Sequence, residues 1–156
     1  MSDSSSAVGL TVPDFTAAAT GGSFTLSARR GKPVVLYFYP KDNTPGCTTQ
    51  AQQFRDLHTE FVKAGCVVLG VSRDSIKSHE SFKTKLGLPF ELISDGDSTI
   101  CELFDVIKNK MMYGKQVVGI ERSTFLIDGK GILRQEWRKT KADGNAATVL
   151  DAVMKL

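Results

Sequence analysis

Cysteine is scarce in this sequence, and long apolar runs are missing from it. Three cysteines occur among 156 residues, and an odd, small number argues against a structural disulfide framework. The longest nearly unbroken apolar run, from Val34 to Tyr39, is far too short to span a bilayer. Residues 1–6 are polar and lack the basic segment followed by an apolar one that marks a secretory signal. We therefore expect a cytoplasmic protein that does not act in a membrane.

Charge of one sign is not in large excess either. The net charge is +3, with 24% charged and 41% hydrophobic residues, which is ordinary for a globular protein. The densest basic stretch, residues 134–141, contains a single aromatic residue, Trp137, so a solvated strand end is favoured over a polyanion site. The composition thus predicts no nucleic-acid partner. The length fits a single domain over residues 8–156 after a flexible tail of residues 1–7.

Apolar periodicity predicts alternating strands and helices after a short opening hairpin. Residues 34–39 are apolar on both faces and predict a central strand, which Pro40 ends. A helical stripe then runs from Cys47 to about Gly65. The remaining predictions are strands at 66–71, 92–93, 124–127 and 132–137, and helices at 75–86, 98–104 and 145–155.

This order of elements predicts an α/β fold. Its βαβ units give parallel strands, and a late hairpin around residues 128–131 adds antiparallel ones. The expected architecture is a mixed central sheet with helices on both faces and an N-terminal β-hairpin extension. The order is similar to that of thioredoxin-like folds.

One short loop joins the central strand to the helix that begins near Cys47. A thiol there lies where free backbone N–H groups and the helix dipole favour an anion, and the thiolate is the nucleophilic form of cysteine. Thr44 can form a hydrogen bond at the same helix start, while Pro45 and Gly46 shape the turn. Position alone leaves open whether Cys47 is reactive or is simply a small buried residue.

The residues around Cys47 resemble those of a known family. Residues 37–48 read YFYPKDNTPGCT, which is similar to the active-site segment of peroxiredoxins, specifically of the bacterioferritin comigratory protein or peroxiredoxin Q subfamily. Further matches occur at residues 69–72, 92–95 and 119–128. They follow the family's order and spacing, and the resemblance extends from about Val12 to the C-terminus.

The resemblance implies a thiol peroxidase that reduces hydrogen peroxide and organic hydroperoxides in antioxidant defence. Cys47 would be the peroxidatic nucleophile and would become a sulfenic acid. Thr44 would align the peroxide, Pro40 would shield the sulfur from water, and Arg122 would stabilise the thiolate and polarise the peroxide. This chemistry requires no metal or organic cofactor.

The chain departs from the family where a second, resolving cysteine is usual. Gln52 and Lys83 occupy the two usual places. Cys66 and Cys101 are interpreted as small buried residues; Cys66 is expected at the far end of the sheet from Cys47, whereas Cys101 is not excluded from its vicinity. We therefore expect a monomeric, one-cysteine enzyme whose sulfenic acid is reduced by an external thiol. The reductant would be thioredoxin, or glutathione with glutaredoxin.

Two alternatives stay open beside the peroxidase. A thioredoxin-type disulfide oxidoreductase needs a C-x-x-C pair, and Thr44 stands where its first cysteine would be. A non-catalytic holdase or binding module would keep the fold without the chemistry. His58 and His79 are expected in helices among solvated polar neighbours, without metal-ligand spacing. The cluster at residues 111–113 is expected to pack against the domain rather than to contact a partner.

Overall fold

The computed structural model describes residues 7–156, apart from the side chains of Lys110 and Met112. Residues 1–6 of the predicted tail therefore lie outside the described residues. The chain is attached to the sheet soon afterwards, because the Gly9 amide donates to the carbonyl of Leu133 at 2.8 Å. Within the described range, the model contains no helix with the length and apolar character needed to cross a membrane.

The described residues form nine strands and five α-helices. The strands are β1 (Thr16–Ala19), β2 (Gly22–Thr25), β3 (Val34–Phe38), β4 (Val67–Ser72), β5 (Glu91–Ser94), β6 (Ile107–Met112), β7 (Lys115–Ile120), β8 (Ser123–Ile127) and β9 (Leu133–Trp137). The α-helices are α1 (Pro45–Asp56), α2 (His58–Lys63), α3 (Ile76–Leu86), α4 (Thr99–Leu103) and α5 (Asn145–Met154). A short 3-10 helix covers Leu26–Arg29.

Seven of the strands make one mixed sheet with the order β2-β1-β5-β4-β3-β8-β9. β3 is central: it runs parallel to β4 and antiparallel to β8. The β1–β2 hairpin joins the sheet at β5 through the pair Ala19 and Ile93. The predicted mixed sheet and its N-terminal hairpin extension are both confirmed.

Side-chain alternation along β3 divides the core into two layers. Val35 and Tyr37 face the layer that contains α1, α2, α3 and α5, which we call the α1 layer. Leu36 and Phe38 face the layer that contains α4 and the N-terminal segment, the α4 layer. Helices therefore cover both faces of the sheet, as predicted.

The predicted helix from Cys47 to Gly65 is interrupted. α1 ends at Asp56, Leu57 has φ −98° and ψ 2°, and α2 begins at His58. Phe54 and Phe61 pack on each other across the interruption, with ring centroids 5.7 Å apart. The apolar stripe that predicted one helix is thus shared by two, because both bury their aromatic residues in the same layer.

The hairpin β6–β7 was not predicted, and it overturns the expectation for residues 111–113. Its turn places Tyr113 and Gly114 at φ 52° and 75°, the left-handed pair of a two-residue hairpin loop. Met111 is 70% exposed and Tyr113 97% exposed, so the expectation that this cluster packs is wrong for both residues. The side chain of Met112 lies outside the described residues. Polar and exposed strands give little periodic signal, which explains the omission.

Candidate active site

The register between β3 and β8 brings the predicted site residues together. Phe38, the last residue of β3, pairs with Ser123, the first residue of β8. Arg122 immediately precedes Ser123, and the loop to Cys47 immediately follows Phe38. The two segments therefore meet where the end of β3 lies beside the start of β8, although Cys47 and Arg122 are 75 positions apart in the chain.

Cys47 lies in the first turn of α1. Thr44 is the N-cap residue with extended φ and ψ of −82° and 153°, and Pro45 is the first helical residue. Proline suits this place because its missing N–H would have no partner within the helix. Cys47 is 1% exposed, so its sulfur senses the positive end of the helix dipole with little screening by water. The sulfur therefore lies at the positive end of the α1 dipole.

Arg122 supplies a fixed positive charge to the sulfur. Its Nη2 donates to Cys47 Sγ at 3.4 Å, and its Nη1 donates to Gln50 Oε1 at 2.7 Å. Gly46 leaves room for this contact, because a Cβ at that position would lie 3.1 Å from Arg122 Nη2. The geometry thus agrees with the role that the family resemblance implies for Arg122.

Pro40 and Thr44 both precede Cys47 in the loop that follows β3. The Thr44 hydroxyl donates to the carbonyl of Lys41 at 2.9 Å and does not cap the helix. Because its proton is engaged, its oxygen is left to accept a hydrogen bond from a substrate O–H. Pro40 is exposed and directly follows the buried Tyr39. Its shielding role stays a prediction.

A buried polar network fixes the loop between β3 and Thr44. The carboxylate of Asp42, 4% exposed, accepts hydrogen bonds from Tyr39 Oη at 2.6 Å, Ser78 Oγ at 2.8 Å and His79 Nδ1 at 2.7 Å. The backbone amide of Asp42 donates to Asp74 at 2.9 Å. The network ties the loop to the first turn of α3. Burial acts to raise the pKa of Asp42, but the hydrogen bonds from His79, Tyr39 and Ser78 outweigh it, so the pKa lies below its usual value.

His79 is a member of this network, so the expectation of solvated neighbours is wrong for it. The side chain is fully buried, and its Nε2 lies 2.9 Å from the carbonyl oxygen of Ile93. The two ring nitrogens of His79 therefore face two acceptors, the Asp42 carboxylate and the Ile93 carbonyl. His79, Asp42 and Asp74 lie close enough to suggest a metal site, but their ligand atoms are already hydrogen-bonded within the protein. No local sequence pattern indicates this pair, because Asp42 and His79 are 37 positions apart.

The other two thiols are buried away from Cys47. Cys66 lies just before β4, and the pairing of Val67 with Val34 puts it beside the start of β3, the opposite end from the Cys47 loop. Burial raises the pKa of Cys66 to about 12. Cys101 belongs to the α4 layer, whereas Cys47 belongs to the α1 layer. Burial, and then the neighbouring Asp95 carboxylate, raise the pKa of Cys101. Both thiols are therefore protonated and poor nucleophiles.

Comparison with known proteins shows the family of this chain. Residues 8–136 match the AhpC/TSA family, and the chain belongs to that family. Within it, the chain is a peroxiredoxin of the bacterioferritin comigratory protein or peroxiredoxin Q subfamily, and hence an oxidoreductase of the peroxidase type. The predicted resemblance is confirmed.

The relatives are similar over nearly their whole length. Peroxiredoxin Bcp of Xanthomonas campestris pv. campestris is 57% identical over 133 residues, which cover 85% of this chain and 83% of that protein. Peroxiredoxin Bcp of Bacillus subtilis is 50% identical, with 85% of each chain covered. The crystal structure of a cysteine-to-serine mutant of Xylella fastidiosa PrxQ has a TM-score of 0.92 at 44% identity, covering 97% of this chain and 98% of that one. These likenesses confirm the thioredoxin-like fold.

We expect Gly46→Ala to slow the reaction of Cys47 with hydrogen peroxide. The added methyl group must move Arg122 Nη2 by a few tenths of an ångström, and weakening a hydrogen bond to a charged group, which contributes about 1.5–3 kcal/mol, should lower the rate constant severalfold. Stopped-flow measurement of the second-order rate constant checks this. Gly96→Ala is the matched control, because a Cβ there meets no atom within 4 Å. Equal rate constants for the two variants would show that the contact between Arg122 and Cys47 does not need a glycine at position 46.

We expect Asp42→Asn to lower the free energy of unfolding near neutral pH by about 3 kcal/mol, since the buried hydrogen bonds to the carboxylate are disrupted. A carboxyl with a lowered folded-state pKa stabilises the fold above its unfolded pKa of about 3.9, and this contribution is lost as the pH falls through the folded value. The difference between wild type and variant should therefore shrink in acid.

Urea unfolding at neutral and acidic pH measures this difference. The control is Asp151→Asn, which removes an exposed carboxylate paired with Lys155 and should change the free energy of unfolding by less than about 0.5 kcal/mol. A pH-independent difference for Asp42→Asn would show that its charge does not carry the effect.

Proposed function

We propose that this chain reduces hydrogen peroxide and organic hydroperoxides through a sulfenic acid formed at Cys47. The observation that carries the proposal is the approach of Arg122 Nη2 to Cys47 Sγ, 3.4 Å, in the first turn of α1. A helix N-terminus and a guanidinium both favour the thiolate that attacks peroxides. The bacterioferritin comigratory protein of Xanthomonas campestris has alkyl peroxide reduction activity, which supports organic hydroperoxides as substrates of this chain.

The proposed reaction balances as follows. The Cys47 thiolate attacks the terminal oxygen of the hydroperoxide, so that an S–O bond forms, the O–O bond breaks and the sulfur is oxidised to a sulfenic acid. The leaving alkoxide or hydroxide takes a proton from solvent and departs as alcohol or water. In the proposed transition state, Arg122 stabilises the negative charge that develops on the breaking O–O bond. The Thr44 oxygen accepts the hydroperoxide O–H and aligns the substrate.

The positions of the thiols support resolution by an external thiol. Four residue steps of β3, about 13 Å at about 3.3 Å each, separate the end that leads to Cys47 from the end beside Cys66. The sheet itself stands between Cys47 and Cys101. A disulfide requires Cα atoms within about 7 Å. Lys83, at a usual resolving place, instead pairs with Glu91 at 2.7 Å.

Two thiol equivalents from outside the chain then complete the proposed cycle. The first forms a mixed disulfide with Cys47 and releases water, and the second releases the Cys47 thiolate and the oxidised donor. Thioredoxin, or glutathione with glutaredoxin, fits this requirement in the cytoplasm. We propose that a monomer suffices, because Cys47, Thr44 and Arg122 all come from one chain. A disulfide oxidoreductase is not favoured, since Thr44 stands in the place of its first cysteine.

We expect Cys47→Ser to abolish peroxide consumption with a thiol donor, while Cys66→Ser and Cys101→Ser retain it as matched controls. After one equivalent of peroxide, the wild-type mass should increase by one oxygen, and a dimedone-type trap should label Cys47. Excess peroxide should drive the sulfur to sulfinic acid. Peroxide turnover by Cys47→Ser near the wild-type rate would overturn the peroxidase assignment.

The same mass measurement tests the one-cysteine proposal separately. An oxidised wild-type chain that has lost two hydrogens, with Cys47 joined to Cys66 or Cys101 in its peptide map, would overturn external resolution. That outcome would leave the peroxidase assignment intact.

A further inference from the structure

We propose that Asn145 is a positioning residue of the Cys47 site, because it holds the Gln50 side chain in the one orientation that receives Arg122. This inference rests on the proposed function, which makes the Arg122 contact matter for rate. Asn145 touches neither the sulfur nor the guanidinium in the described contacts. Its effect is transmitted through a chain of hydrogen bonds among side chains from four different segments.

The chain of hydrogen bonds runs in one direction. Arg122 Nη1 donates to Gln50 Oε1 at 2.7 Å, and Gln50 Nε2 donates to Asn145 Oδ1 at 2.9 Å. Asn145 Nδ2 donates to Thr140 Oγ1 at a longer 3.4 Å, and Thr140 Oγ1 lies 3.5 Å from the carbonyl of Lys141. Each side chain thus donates a hydrogen bond to the next group in the chain.

The two ends of the chain explain why this direction is fixed. The guanidinium of Arg122 can only donate, and the backbone carbonyl of Lys141 can only accept. The side-chain amides of Gln50 and Asn145 could each point either way on their own. If the Gln50 amide turned over, its NH₂ group would face the Arg122 donors and its oxygen would face Asn145 Oδ1. Both contacts would then be repulsive.

Burial makes a wrong orientation costly. Gln50 is fully buried and Asn145 is 4% exposed, so water cannot replace a lost partner. An unsatisfied buried polar group costs about 1–3 kcal/mol. Thr124, also fully buried, donates to the same Asn145 Oδ1 at 2.9 Å. Asn145 Oδ1 therefore accepts from two buried donors, Gln50 and Thr124.

Further hydrogen bonds connect the C-terminal helix α5 to the site. Asn145 is the first residue of α5, and Gly144 before it donates its amide to Gln53 Oε1 on α1 at 2.8 Å. The backbone amide of Thr140 donates to the carbonyl of Arg122 at 2.9 Å. The segment between β9 and α5 is therefore anchored to both α1 and Arg122, which holds Asn145 in place.

The test is a double-mutant cycle between Asn145→Leu and Gln50→Glu. In the wild-type background, we expect Asn145→Leu to lower the rate constant with hydrogen peroxide about tenfold, since the Arg122 hydrogen bond is weakened, and to move the pH profile of Cys47 alkylation to higher pH. A carboxylate accepts from Arg122 through either oxygen, so orientation no longer matters in Gln50→Glu. There, adding Asn145→Leu should change the rate constant much less.

Further variants separate positioning from packing. Asn145→Asp keeps an oxygen for Gln50 and Thr124 but loses the donor to Thr140, so its rate constant should fall less than that of Asn145→Leu. Thr140→Val removes the partner of Asn145 Nδ2 and should shift the alkylation profile in the same direction as Asn145→Leu, but less; it supplies the measurement if Asn145→Leu does not fold. Val149→Ala weakens the packing of α5 and should lower stability without moving the profile.

Two outcomes would overturn the proposal. One is an unchanged alkylation profile in both Asn145→Leu and Thr140→Val. The other is an equal rate loss from Asn145→Leu with and without Gln50→Glu. Failure of the proposed function is distinguishable, because the wild type would then not consume peroxide at all, while the alkylation profiles would still report whether Asn145 acts on Cys47.

Discussion

The antiparallel pairing of β3 with β8 is the constraint on which the site depends. It sets the end of β3 beside the beginning of β8, so that the loop leading to Cys47 meets Arg122. A slip by one residue would turn every side chain of β8 to the other face of the sheet and would separate the charge from the sulfur. The two core layers hold this register, because Phe125 packs in the α4 layer and Leu126 in the α1 layer, and a slip would exchange them.

Two sets of contacts hold the segments around the Cys47 sulfur. On one side, Arg122 contacts the sulfur, and buried amides hold the guanidinium. On the other, the buried hydrogen bond between Asp42 and His79 holds the preceding loop against α3. Buried polar groups are tolerated here because their partners are inside the protein. The loop between these two anchors has little freedom, which suits a site that must align a small substrate.

Local patterns in the sequence predicted much of this structure. The order of strands and helices, the caps of α3 at Ser75 and Gly87, and the place of Cys47 at a helix start all depend on neighbouring residues. The role assigned to Arg122 came from the family resemblance, since an isolated arginine beside a hairpin carries no signal of its own. The Asp42–His79 pair, the Gln50–Asn145 contact and the break at Leu57 were missed. They depend on residues that only the tertiary fold brings together, and hydrophobic periodicity does not report them.

The separation of the three thiols also determines how oxidation acts on the unfolded chain. An intramolecular disulfide closes a loop and lowers the conformational entropy of the denatured state, which typically contributes about 2–4 kcal/mol to stability. With Cys66 at the opposite end of β3 and Cys101 across the sheet, the proposed oxidation at Cys47 closes no loop. The denatured ensemble then has the same chain entropy in both redox states. Any difference in stability between them arises in the folded site itself, where the added oxygen meets Arg122 and the first turn of α1.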